Sequence, residues 1–420
     1  MSSEFEQNLE KYAEVVLKVG INLQKGQWLL ITQSSLSTSL LDLVTFIEIL
    51  VKKAYQLGAS FVDVLWNNPQ LHLIRLKHAP RNSFEEFSSW RRDASLENIE
   101  KGGARVEILA SDPFFFNNQD PELVATMIQA RIKKHKQVSD LMNQKKAINW
   151  CVVLASCDAW SEKVFPDLLP DKRIVKLWNK IFEICRINQH DPVSAWIDHI
   201  NQLISRCFYL NNKNYSALHF SAPETDLTIG LPEEHKWIGG RLETKNGIFY
   251  TPNIPTEEIF TLPHKDMTEG IVKMTKPLNH KGHLIEDIKI RFSRGKVIEL
   301  TAGKGKDFLD KIVKTNEGAS NLGEIALVPH SSPISQTGLI FYNSLLDENA
   351  SCHIALGFAY KSCLKNGEEM TDEEFMTAGG NISPIHIDFM FGSGEMDVDG
   401  ITKDGKVEPV MQKGEWAFNI

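Results

Sequence analysis

Gln27-Trp28-Leu29-Leu30-Ile31-Thr32 and Ser60-Phe61-Val62-Asp63-Val64-Leu65-Trp66, with the stretch from about Leu40 to Leu57 between them, decide the fold of the first half. Both flanking runs are apolar, carry β-favouring side chains and have strand length. The stretch between them places its apolar residues at helical spacing and stops at Gly58, a residue type that ends helices readily. Strand, helix and strand in alternation predict a parallel α/β layer.

The pattern extends outward from there. Upstream, Phe5, Leu9, Tyr12, Ala13 and Val16 lie at helical spacing before Gly20. Downstream, Arg105 to Leu109 and Trp150 to Leu154 are further strands, with a helix over Pro121 to Met142 between them. The fold class is therefore α/β: residues 1–215 are expected to form an N-terminal α/β sandwich with an open sheet. Two helices, Lys172 to Ile187 and Pro192 to Leu210, precede the boundary near residue 215, where Tyr215 to Leu231 changes to β-type alternation. Residues 216–420 are expected to form a strand-rich α+β catalytic domain. Its strands include Asp287 to Phe292, Lys296 to Leu300 and Gly323 to Pro329, and its main helix lies near Asp307 to Thr315.

Composition narrows the function. With 420 residues, the chain exceeds the roughly 250 to 300 at which a single core stops growing, so two domains are expected. Hydrophobic residues make up 42% and charged residues 24%, which excludes a disordered or fibrous chain. The 54 acids and 46 bases are interspersed, for a net charge of -8, which offers no broad cationic face to nucleic acid. Arg131, Lys133, Lys134, His135 and Lys136 continue a helical run with Met127, Ile128, Ile132 and Val138, so they are expected to form a solvated helix face. The polar start (Ser2, Ser3, Glu4, Glu6) is unlike a secretory signal and no apolar run reaches membrane length, which predicts a cytoplasmic protein that does not engage membranes. The six cysteines form no C-x-x-C pair and are expected to be core thiols.

The sharpest chemical signal is His386-Ile387-Asp388. On a strand His386 and Asp388 project from one face while Ile385, Ile387 and Phe389 project from the other. An imidazole beside a carboxylate suits zinc, cobalt or manganese, although most such triplets are only hydrogen-bonded pairs. Glu348 and His353 flank a small-residue turn; alone they fit a turn cap and a core histidine. Glu324 lies in the strand-like Gly323 to Pro329, where burying an unpaired carboxylate is costly and a cation would remove that cost. Glu257 and Glu258 follow Thr256, and first-turn helix acids after a cap would explain them equally well. Together these residues have the anionic and imidazole donors that two adjacent cations require.

At these positions the chain resembles the thermophilic-type metallo-aminopeptidases of the aminopeptidase T, aminopeptidase S and PepS family. The resemblance runs through Asp191 to Trp196, Thr225 to Pro232, Trp237 to Gly240, Asn253 to Phe260, Pro263 to Asp266, Gly323 to Pro329, Asp347 to Gly357, Ile385 to Met390, Gly394 to Gly400 and Gly414 to Phe418. It is more diffuse in the first half, where the helix before Ala54 looks longer than the family's. The resemblance implies a hydrolase that removes the N-terminal residue of short peptides and works as a homodimer. It implies two divalent metal ions per chain, from among zinc, cobalt, manganese and magnesium, held by Glu258, Glu324, Glu348, His353, His386 and Asp388. It favours Glu258 over Glu257. The implied catalytic tyrosine is Tyr360, to donate a hydrogen bond to the oxyanion; Glu324 is the candidate to accept the proton of an attacking water, a purely bridging ligand being the alternative. A two-metal phosphoesterase would use similar ligands, but no Gly-rich phosphate loop or arginine cluster accompanies them in the sequence. A metal-stabilised binding protein would bind metal without turnover.

Overall fold

The computed structural model describes residues 3–280 and 283–420; Ser2, part of the polar start, lies outside them. The chain divides into two compact units, 1–198 with 241–255, and 199–240 with 256–420.

The first unit is built on a five-stranded, all-parallel sheet. Trp28–Gln33 lies between Phe61–Val64 and Ala104–Leu109; Trp150–Leu154 and Asn253–Ile254 follow in order beyond Ala104–Leu109. Leu29, Leu30 and Ile31 are buried, as the apolar run requires of a parallel strand covered on both faces. The helices Ser3–Val15 and Val44–Gln56 pack through Tyr12 stacked on Phe46, ring centroids 5.4 Å apart. The Tyr12 hydroxyl donates to the Leu154 carbonyl and accepts from the Leu154 amide, both at 3.0 Å, which ties the first helix to a strand far along the chain. The helix Pro121–Ser139 begins as its sequence dictates: the Asp120 side chain accepts from the Glu122 and Leu123 amides, with proline at the first helical position.

The expected single cut near residue 215 differs from this division at two places. The helix Pro192–Lys213 carries the change of unit at residues 198 and 199 within its own length, ahead of the β-type alternation. Residues 241–255 then return to the first unit, because Asn253 and Ile254 pair in parallel with Val152 and Val153.

The second unit contains two large sheets and a two-stranded one, Leu278–His280 with His283–Ile285. An eight-stranded sheet runs in the order Lys296–Thr301, Lys289–Ser293, Thr268–Lys273, Thr225–Gly230, Ala217–Ala222, Asp397–Ile401, Val407–Gln412 and Glu415–Trp416. A five-stranded antiparallel sheet runs His386–Met390, His353–Gly357, Leu322–Leu327, Ile259–Thr261 and Ile238–Gly239. One apolar cluster joins them, with Leu218, Phe220, Leu227 and Val398 from the first and Ile325, Leu327, Ile354, Leu356, Ile387 and Phe389 from the second. Each such fully buried side chain contributes about 1.5–3 kcal/mol, so this shared face fixes which way the smaller sheet points its other side chains. The helix expected near Asp307 is present over Lys306–Ile312.

Candidate metal centre

With Ile325, Ile354, Leu356, Ile387 and Phe389 committed to the core, the alternation of the strands turns Glu324, His353, His386 and Asp388 to the opposite face. The register brings them together: Ala355 is opposite both Glu324 and Asp388, His353 is opposite Ala326, and Gly357 is opposite His386. Ala326, Ala355 and Gly357 therefore share the face with the polar residues, and their small size leaves space above it. A β-bulge between Leu322 and Glu324 adds Gly323, so that Leu322 is opposite Leu356 while Glu324 is opposite Ala355. A Cβ at residue 323 would overlap the Gly357 and Phe358 carbonyl oxygens, so only glycine permits this re-aiming.

Two donor groups result, Glu258 with Glu324 and His353, and Glu324 with His386 and Asp388. His353 Nε2 is 3.2 Å from a Glu258 oxygen and 3.5 Å from Glu324 Oε1. His386 Nε2 is 3.6 Å from Glu324 Oε2 and 3.4 Å from Asp388. Glu324 thus turns one oxygen to each imidazole. The other nitrogen of each ring is anchored: His353 Nδ1 donates to the Ser351 carbonyl at 3.1 Å and His386 Nδ1 to the Phe358 carbonyl at 2.9 Å. Since a carbonyl only accepts, these bonds aim both Nε2 atoms at the carboxylates, where a proton or a cation can lie between them.

Glu258 lies in irregular chain directly before Ile259–Thr261, not in a helix turn, which corrects the alternative of a capped first turn for this pair. The adjacent Glu257 points elsewhere: its oxygen is 3.5 Å from His199 Nε2, and its amide donates to Asn349 Oδ1 at 2.8 Å. The Glu258 oxygen that faces His353 is buried. Glu348 ends the short helix Ser344–Glu348 and hydrogen-bonds Asp388, which places it beside the second group without being a member of either. Tyr360 follows the His353 strand; its ring meets those of Phe358, Phe260 and His386 at centroid distances of 5.2, 5.8 and 5.4 Å. All six cysteines are free, and none belongs to these groups.

The electrostatics follow from four carboxylates around two imidazoles. Burial raises the Glu324 carboxyl above its ordinary range, and burial together with the Asp388 and Glu258 charges raises that of Glu348 well above it. Burial would lower both imidazoles, but for His353 the hydrogen bonds to Glu258 and Glu324 outweigh it, and for His386 the bond and charge of Asp388 raise it to about 9. Burial also pushes Asp388 up, but His386 brings it below the usual carboxylate value. Burial of the hydroxyl and the surrounding carboxylates keep the Tyr360 phenol protonated, and so a donor, although 42% of the residue's surface is exposed. Without a cation, protons have to neutralise this cluster.

Sequence reading passed over the positioning residues. Asn349 is fully buried, accepts from Glu257 and donates to the Leu345 carbonyl at 2.9 Å, and so holds the Glu348 turn next to the Glu258 segment. Asp347, also buried, accepts from the Phe341 and Asn343 amides at 2.8 and 3.0 Å. Their position within Asp347-Glu348-Asn349 was the available signal.

A sheet face that gathers carboxylates and oriented imidazoles defines a candidate metal centre. Residues 5–416 match the family model of the thermophilic metalloproteases (M29), and the chain belongs to that family. It is 41% identical to aminopeptidase 2 of Geobacillus stearothermophilus over 99% of each chain. It is 40% identical to aminopeptidase T of Thermus thermophilus over 98% of this chain and 99% of that one. The solved structure of wild-type AmpT from Thermus thermophilus superposes with a TM-score of 0.91 at 38% identity, covering 99% and 100% of the two chains. A 2,5-dihydroxypyridine dioxygenase from Pseudomonas putida, at 12% identity and a TM-score of 0.53 over 100% and 99% of the chains, shares the fold alone. No helix among the described residues is long and apolar enough to cross a membrane.

Proposed function

We propose that this chain is a metallo-aminopeptidase that holds two divalent cations, one in each donor group, and hydrolyses the N-terminal residue from short peptides. The observation that carries the reading is Glu324, shared by two groups of otherwise different residues. The residues fit such ions: the donors are oxygen and imidazole nitrogen, both rings are fixed by their Nδ1 bonds, and a buried Glu258 oxygen faces His353 Nε2 at 3.2 Å. Glu258 and His353 would hold one ion, His386 and Asp388 the other, with Glu324 between them and Glu348 completing the set beside Asp388. Bound there, the cations supply Lewis acidity for a peptide carbonyl and lower the pKa of a water.

The chain's own residues provide the rest. Glu324 faces the space between the imidazoles and is assigned to accept the proton of the attacking water. Tyr360, kept protonated, donates a hydrogen bond to the carbonyl oxygen as charge develops on it. The carboxylates favour a substrate whose free amino group can enter among them, in line with the names of the curated relatives. A homodimer in the cytoplasm, as expected from the sequence reading, belongs to the same proposal.

The test is turnover of aminoacyl-chromogenic substrates by metal-stripped protein, before and after zinc, cobalt, manganese or magnesium is restored. Restored cleavage of free-amine substrates, with none of amino-blocked ones, is expected. Cleavage of blocked substrates at equal rate, or no cleavage by folded, metal-loaded protein, contradicts the reading. Light scattering of the same sample at twice the chain mass checks the dimer.

A further inference from the structure

The first unit contains a cavity that the peptide chemistry does not use. It measures about 460 Å³ and is lined by the end of Trp28–Gln33, the segment after Phe61–Val64, and three helices, Gln70–His78, Trp90–Glu100 and Pro121–Ser139. Four arginines line it, Arg75, Arg91, Arg105 and Arg131, together with His72 and His135. This corrects the expected solvated face: Arg131 and His135, one helical turn apart, turn to the cavity, while Lys133, Lys136 and the 55% exposed Ile132 lie outside it.

The arginines are held differently. Arg91 donates to the Trp66 carbonyl at 2.7 Å, and Arg75 to the Ser83 and Glu86 carbonyls at 2.7 and 2.9 Å, so neutral acceptors leave both charges uncompensated. Arg105, buried, is 2.8 Å from Glu107 and donates to the Ser95 hydroxyl at 3.3 Å. The Arg131 guanidinium makes no hydrogen bond or ion pair among the described residues. One carboxylate thus faces four guanidiniums, a surplus of positive charge that an anion in the cavity would balance. The field is felt locally: burial and the charges of Arg131, Arg75 and Arg91 lower His72 to about 4.

Topology points the same way. Going across the sheet, the chain reverses direction between Trp28–Gln33 and Ala104–Leu109, and the cavity lies past the carboxyl ends of Trp28–Gln33 and Phe61–Val64, beside that reversal. Parallel open sheets bind small ligands at such switch points. Planar guanidiniums match the oxygens of phosphate in pairs, and a surplus of three positive charges suits a multiply charged phosphate better than a single carboxylate. The volume is that of a small-molecule pocket, and Trp66, Trp90 and Phe87 add apolar wall.

We propose that this cavity binds a phosphate-bearing small molecule, with Arg131 as the free guanidinium that receives its phosphate. The test is calorimetric titration of the full-length, metal-loaded protein with adenosine monophosphate, inorganic phosphate and citrate. Expected is saturable phosphate binding that weakens with salt, falls roughly tenfold in Arg131→Ala, falls less in Arg131→Lys, and is unchanged in Lys133→Ala. Dependence on Arg131 distinguishes the cavity from the carboxylate site, whose peptidase activity all three variants keep. Tighter binding of the nucleotide identifies an organic phosphate as the source, and tighter binding of the inorganic ion identifies free phosphate. No saturable binding of either, citrate binding as tightly, or binding unchanged in folded Arg131→Ala or Arg131→Lys protein overturns the proposal.

Discussion

The parallel unit lines a cavity with four guanidiniums against one carboxylate; the strand-rich unit surrounds two imidazoles with four carboxylates. A histidine registers each environment. His72 is lowered to about 4, by burial and then by the nearby arginines. His386 is raised to about 9, because Asp388 and Glu324 outweigh its burial. Burial lowers both rings; the arginines add to that shift at His72, and the carboxylates reverse it at His386. The difference in construction matters too. In the antiparallel sheet, strand register places Glu324, His353, His386 and Asp388, whereas in the parallel unit three helices and the neighbouring strands line the cavity.

The largest expected effect is on the shared carboxylate. Glu324→Gln should lower kcat by roughly three orders of magnitude in metal-saturated protein, since it removes the proposed proton acceptor yet leaves an oxygen for a cation. Tyr360→Phe should lower kcat by about 10²–10³ with KM little changed, as expected for a donor that acts only on developing charge; steady-state kinetics on one free-amine substrate checks both. Gly323→Val should destabilise the chain by about 1–3 kcal/mol in urea unfolding and weaken cation binding together with it, because the bulge that aims Glu324 cannot form.

The smallest effects test the comparison by pH. His72 binds its proton less readily folded than unfolded, so its contribution to stability is lost as pH falls from about 6.5 towards about 4, and His72→Gln should flatten that part of the profile. In metal-free protein His386 does the reverse: its contribution is present below about 6.5 and lost as pH rises through about 9. Urea midpoints across pH, with and without metal, measure both. Equal slopes of one sign in the two windows would break the contrast between the units.

Much of this was legible in the sequence. The first-half strands and helices were visible because apolar spacing reports burial directly, and His386-Ile387-Asp388 announced its two faces because strands alternate. Residues 241–255 were not legible as part of the first unit, since Asn253–Ile254 is a two-residue strand with no period, placed by a partner about a hundred positions earlier. The choice between Glu257 and Glu258 rested on resemblance; in the structure it depends on where Ile259–Thr261 pairs and on His199 facing Glu257. The bulge at Gly323 looks in sequence like any glycine before a strand. Arg131 and His135 were misjudged because helical spacing shows which residues share a face, and not whether neighbouring helices leave a cavity beside it.

The most direct test of the central claim is the metal stoichiometry of the purified chain after dialysis against zinc or cobalt, measured for wild type and Glu324→Ala. Two equivalents per chain in the wild type, with both weakened by the single substitution, is the predicted result, because both donor groups use that carboxylate. One equivalent in the wild type, or two that persist undiminished in Glu324→Ala, would contradict it.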